Sequence, residues 1–166
     1  MTPLVHSVRA VFLIAIFFIA GCAQPPLLKP QDGTNARAWH GRMALRIDSN
    51  EPQSFSASFD LVGQAQAGEL ILYGPLGSTA AHLSWTPDSA TLRSNGAVRQ
   101  FSSLDALATQ TTGTNIPIAA LFDWLAGLDV VAAGWEADLT QLGNHRLTAR
   151  RLSPEPVAEL RLILEP

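Results

Sequence analysis

Along most of this chain apolar and polar residues alternate with a period of two. In residues 42–48, Met43, Leu45 and Ile47 fall on one side, and Arg42, Ala44, Arg46 and Asp48 on the other. In residues 54–61, Phe55, Ala57, Phe59 and Leu61 alternate with Ser54, Ser56, Ser58 and Asp60. This is the signature of antiparallel strands with one apolar and one wet face. The runs Glu69–Tyr73, Thr79–Trp85, 90–94 and 97–101 continue it, and Asn95-Gly96 between the last two is a strong tight-hairpin signal. To this point the chain reads as an antiparallel meander.

Then the period changes. Residues 102–112 open with Ser102 or Ser103 as N-cap and carry a stripe of Leu104, Leu107 and Ala108. Residues 117–127 have Pro117 at a first helical turn and Gly127 at the natural stop. In this second helix Ile118, Leu121, Phe122, Leu125 and Leu128, with Trp124 alongside, cover much of the circumference. Strand-like text resumes at 134–142, 145–152 and 157–165. The fold expected is mainly β with two short mid-chain helices, an antiparallel sheet curved around them. Two readings of the helices stay open. Either they fill the apolar face as a core plug, or the face is larger than they can fill and a cavity remains beneath a lid.

One hairpin tip is unusual. Glu69–Tyr73 and Thr79–Trp85 are joined by Gly74-Pro75-Leu76-Gly77. The glycines and the proline suit a turn, but a leucine does nothing for one. Leu76 therefore either faces water or folds back onto Tyr73 or Trp85.

The N-terminus differs from the rest. His6 and Arg9 precede the apolar run 10–20, and Gly21-Cys22 follows. A run of this length fits a signal-peptide core of roughly 7–15 residues and falls short of the ~20 needed to span a bilayer. The junction resembles a bacterial lipobox, which implies cleavage before Cys22, an S-diacylglyceryl group on its thiol and an acyl chain on the new amine. Two or more such chains anchor stably, where one binds only reversibly. Residue 23 is not Asp, which favours the outer over the inner membrane. Residues 1–21 are thus expected to be a signal peptide, 22–38 a proline-containing tether, and 39–166 a single folded domain.

Composition narrows the function. Hydrophobic residues make up 47% of the 166 and charged residues 15%; Lys+Arg 11 against Asp+Glu 14 gives a net charge of -3. With no basic tail or stripe, no nucleic-acid footprint is expected. The single cysteine permits neither an intramolecular disulfide nor a cysteine metal cluster. His40, His82 and His145 lack the i,i+4 pairing of a helix-borne metal site. No Gly-x-Ser-x-Gly elbow and no Gly-rich phosphate loop occurs. Ser84 and His82 share a strand face and nothing more, and Asp105, Asp123, Asp129 and Asp138 read as solvated. Nothing here supports an enzyme, a cofactor or a metal.

In order along the chain, Gly41-Arg42, Pro75-Leu76-Gly77-Ser78, then Gly113, Pro117, Leu121, Trp124 and Gly127, and finally Gly134-Trp135 are similar to the pattern of the LolB family of outer-membrane lipoprotein receptors. The resemblance implies an unclosed (half) β-barrel of the LolA/LolB type, lidded by its helices over an apolar cavity for acyl chains. It implies a monomer, lipid-anchored at Cys22 in the outer membrane and facing the periplasm, that accepts lipoproteins from the carrier LolA. It would release them into outer-membrane lipid without nucleotide, down a gradient of affinity. On this basis Pro75, Leu76 and Gly77 form a membrane-insertion loop. Phe55, Phe59, Ile118, Leu121, Phe122, Trp124 and Leu125 become the candidates for the acyl cavity and its lid. The chain departs from the family in having almost no room for a helix between Pro30 and Trp39, and in its short segment between Gly127 and Gly134. These imply a barrel trimmed by a strand or two, or a shallower cavity. A relative that binds another lipid, or that braces the envelope, is the alternative.

Overall fold

The computed structural model describes residues 37–132 and 134–166. The expected signal peptide, Cys22 and the tether up to residue 36 lie outside them. Alternation turns directly into strands: β1 (Arg37–Asp48), β2 (Gln53–Gln64), β3 (Ala67–Tyr73), β4 (Thr79–Thr86), β5 (Ser89–Ser94) and β6 (Ala97–Phe101). Two helices follow, α1 (Leu104–Thr112) and α2 (Ile118–Leu125), and then β7 (Trp135–Asp138), β8 (Arg146–Arg151) and β9 (Val157–Leu164). Strand β1 opens two residues ahead of the domain start expected at Trp39.

The strands form one nine-stranded sheet in the order β6-β5-β4-β3-β2-β1-β9-β8-β7, with every pairing antiparallel. The sheet is unclosed, with β6 and β7 as its edges. Register aligns the apolar residues. Trp39, Leu61, Leu70, Leu83 and Leu92 stand opposite one another across β1 to β5. Met43, Leu162 and Leu147 do so across β1, β9 and β8. The outer face carries the polar set, including Tyr73 bonded to Asp60 at 2.6 Å and His82 Nε2 at 3.2 Å from Glu69.

Closures that the sequence signalled are built as expected. Asn95 and Gly96 both adopt positive φ, 51° and 74°, as a tight hairpin requires. Gly41 sits at φ 151° where β1 meets β9, and a Cβ there would lie 2.0 Å from the Ile163 carbonyl oxygen. Only glycine lets the two backbones approach so closely.

Helix α1 starts two residues later than the expected 102–112 and ends with it at Thr112, and α2 is one residue shorter at its start and two at its end than 117–127. Ser103 is the N-cap of α1, its Oγ accepting from the Ala106 N–H at 3.1 Å, and Gly113 closes the helix at φ 70°. Past α2, the Gly127 N–H donates to the Trp124 carbonyl at 2.9 Å and the Leu128 N–H to that of Asp123 at 2.9 Å. That pair of bonds is a Schellman closure with Gly127 in the left-handed position. Ser103→Ala is expected to cost about 1 kcal/mol of stability through loss of the cap, read as a lower urea midpoint.

One stretch differs from the alternation. Residues 134–142 read as a strand, yet β7 ends at Asp138 and a 3-10 turn occupies Leu142–Asn144. Asp138 Oδ1 accepts from the Thr140 hydroxyl at 2.6 Å and the Thr140 N–H at 3.0 Å. The side chain thus replaces the ladder and turns the chain. Those two bonds, the hydroxyl's first, also hold the Asp138 carboxyl below its ordinary pKa.

Candidate functional site

The apolar face of the sheet is not completely filled. A cavity of about 340 Å³ remains between sheet and helices. Its sheet wall is made by alternate residues of β1 to β5 and β9, among them Leu45, Ile47, Leu70, Leu72, Leu83, Leu92 and Leu160. Leu107, Ala108, Ile116, Ile118 and Leu121 of the helical segment roof it. Gln53, Ser54 and Phe55, all exposed, mark where it opens. Thr111 and Thr112 also line it, but their hydroxyls are tied to the carbonyls of Leu107 and Ala108 at 2.7 and 2.8 Å. They ask for no partner inside. Such a space is lined for hydrocarbon and offers almost nothing to a polar ligand.

A larger hollow of about 550 Å³ lies along β7 and β8, walled by Glu136, Asp138, Thr148 and Arg150, with Leu152 and Ser153 also lining it. Its charged lining cannot desolvate an apolar ligand, so the smaller cavity is the candidate site.

The residues singled out from the sequence divide in two. Phe55, Ile118 and Leu121 line the cavity. Phe59, Phe122, Trp124 and Leu125 lie in the buried core beside it. Phe122 packs edge-on against Trp39 and Trp85, with ring centroids 5.6 and 6.1 Å away. Trp124 donates its indole N–H to the Val130 carbonyl at 2.8 Å, and Trp135 donates to that of Asn115 at 2.9 Å. These rings hold the loop after α2 and the α1–α2 linker in place. The aliphatic wall on β1, β3, β4, β5 and β9 was missed as a site, although each member sits on the apolar side of its strand's alternation.

The β3–β4 hairpin projects. Its turn is closed by the Gly77 N–H on the Gly74 carbonyl and by the Gly74 N–H on the Ser78 carbonyl, both at 2.9 Å. Gly77 adopts φ 75°. Pro75 and Leu76 are left at the centre of the turn, and Leu76 is 96% exposed. It does not fold back onto Tyr73 or Trp85. At the base of the hairpin the bond to Asp60, followed by burial and the Asp60 charge, pushes the Tyr73 phenol above its ordinary pKa.

The family model for outer membrane lipoprotein LolB matches residues 36–153. The chain belongs to the LolB family. Among its relatives, the outer-membrane lipoprotein LolB of Bordetella petrii is 34% identical over 112 residues, 66% of this chain and 56% of that one. The LolB proteins of Dechloromonas aromatica and Chromobacterium violaceum are 29% and 28% identical over 124 and 143 residues. Those matches cover 72% and 82% of this chain, and 65% and 77% of the relatives. The chain thus spans little more than half of the first relative's length and just under two thirds of the second's.

Within this LolB-family domain the α1–α2 linker carries one unusual feature. Thr114 Oγ1 and Asn115 Oδ1 are buried without a hydrogen-bond partner among the described residues. An unmet buried polar group costs ~1–3 kcal/mol. Thr114→Val, of nearly the same shape, is accordingly expected to raise stability by about 1 kcal/mol, read as a higher urea midpoint. A lower midpoint would show that the hydroxyl is satisfied.

Proposed function

We propose that this LolB-family protein receives acylated lipoproteins from a LolA-like periplasmic carrier, holds their acyl chains in the inner cavity and releases them into the outer membrane. It acts without chemical catalysis, tethered to the periplasmic face of that membrane by S-diacylglyceryl and N-acyl chains on Cys22. One observation carries the reading: an apolar cavity of about 340 Å³ has its exposed lining residues, Gln53, Ser54 and Phe55, at the end of the sheet that carries the 49–52 and 74–78 connections, and an apolar tip, Leu76, stands in water at that same end.

The magnitudes suit a relay. At ~30 Å³ for a water-sized group, the cavity has room for roughly ten methylenes. Burying each is worth ~0.8 kcal/mol relative to water. A carrier's cavity and a bilayer supply nearly the same, so small differences between compartments set the direction of transfer. Leu76 offers ~1.5–3 kcal/mol on burial, enough for a transient touch on a leaflet and too little for an anchor.

Depletion of the protein in cells, with lipoproteins followed by fractionation, tests the reading. Lipoproteins are expected to accumulate in the periplasm and inner membrane. A second reading, carried by the modest identity of 28–34% to these LolB relatives, is a divergent family member that binds another lipid or braces the envelope. Unchanged lipoprotein distribution on depletion would select it.

A further inference from the structure

The two ends of the sheet are chemically different. Strand directions place five connections at one end: residues 49–52, 74–78, 95–96, 126–134 and 152–156. Connections 65–66, 87–88, 102–103 and 139–145 lie at the other. The three most exposed large hydrophobic residues are Leu76 at 96%, Val131 at 84% and Leu152 at 69%. All three belong to connections of the first end, as does Leu128. The remaining exposed ones, Phe55, Val62, Val98 and Ile163, lie on strands, and the connections of the second end contribute none.

Val131 and Leu152 are held out rather than left loose. On one side of Val131 the Val130 carbonyl accepts from the Trp124 indole, and on the other Ala132 pairs with Trp135. Leu152 follows Arg151, which is 4% exposed and donates from its guanidinium to the Pro156 carbonyl at 2.9 Å, bracing the 152–156 loop. The two loops abut: a Cβ on Gly134 would lie 2.0 Å from the Ser153 carbonyl oxygen. Leu76 lies on the β3–β4 side of the sheet and this pair on the β7–β8 side, with the open cavity rim at Gln53–Phe55 between them in strand order. A side chain displayed by a braced backbone loses little freedom on being buried, which favours apolar contact over chance exposure.

We infer that Val131 and Leu152 form a second bilayer contact, so that the domain meets the membrane through the whole hairpin end and not through Leu76 alone. The occupant is hydrocarbon rather than an anionic headgroup surface. None of the five connections contains Lys or Arg, and Glu51, Asp129 and Glu155 would repel an acidic leaflet. The inference rests on the proposed membrane role of Leu76.

The test uses the full mature lipoprotein in phosphatidylcholine vesicles containing acyl-brominated lipid. Leu76→Trp, Val131→Trp and Leu152→Trp are compared with Gln66→Trp at the opposite end, each as the difference from the parent protein. Quenching of the added indole at 76, 131 and 152, undiminished by high salt and absent at 66, is expected. Quenching at 76 alone would overturn the second contact and leave the Leu76 reading intact. No quenching at any of the three would overturn both. Quenching lost at high salt would assign the contact to charge and overturn the apolar account. In delivery assays Val131→Glu combined with Leu152→Glu is expected to slow release several-fold at an unchanged melting temperature; unaltered release would contradict the inference.

Discussion

Leu76→Glu is expected to slow release of bound lipoprotein into membranes by tenfold or more, with a melting temperature within roughly 2 °C of the parent. The side chain is 96% exposed and takes no part in the core, so its replacement removes no folded-state contact. What it removes is ~1.5–3 kcal/mol of burial in hydrocarbon, and it puts in its place a carboxylate that resists desolvation. At 1.4 kcal/mol per factor of ten, loss of the leucine alone accounts for about one to two orders of magnitude. Uptake from the carrier should be unaltered, because the turn is no part of the cavity lining. Separate uptake and release assays beside a thermal melt check this. A fall of several degrees would return Leu76 to the core, and normal release would remove the loop from the mechanism.

Blocking the cavity should give the complementary phenotype. Ala81 lies on the inner face of β4 and lines the space. Ala81→Phe places a ring where an acyl chain would lie. Excluding about three methylenes at ~0.8 kcal/mol each weakens chain binding on the order of 50-fold. Because the ring enters space already empty, stability should hold or rise, whereas overpacking a filled core would cost ~1–3 kcal/mol. Binding of a fluorescent fatty acid, measured alongside urea unfolding, separates the outcomes. A destabilised protein that still binds the probe would mean that chains occupy another place.

How much of this was legible in the sequence follows from what a repeat can encode. Period two fixes which face a side chain takes, and that sufficed for β1 to β6 and for the inward side of each strand, though not for reading the aliphatic wall as a site. Glycine chemistry marked Asn95-Gly96, Gly127 and the 74–77 turn, because each needs a backbone angle that other residues avoid. Depth along a strand is not encoded by alternation. Phe55 and Phe59 share a face, yet their Cα atoms are ~13 Å apart at about 3.3 Å per residue. One is 42% exposed at the cavity opening and the other is buried. The same holds around α2. Ile118 and Leu121 face the cavity, while Phe122 and Trp124 turn into packing against Trp39, Trp85 and the 130 carbonyl. The early end of β7 escaped the alternation because an aspartate side chain replaced the backbone ladder, a local competition that a hydrophobic pattern does not record.

Transfer itself is the most direct measurement. A lipoprotein complexed with its periplasmic carrier is mixed with vesicles bearing the mature full-length protein, in the absence of nucleotide, and the membranes are floated. The lipoprotein is expected to move into the vesicle fraction, and vesicles carrying the Leu76→Glu protein should draw it from the carrier yet retain it on the receptor. If it stays with the carrier whether or not the protein is present, the receptor account is contradicted.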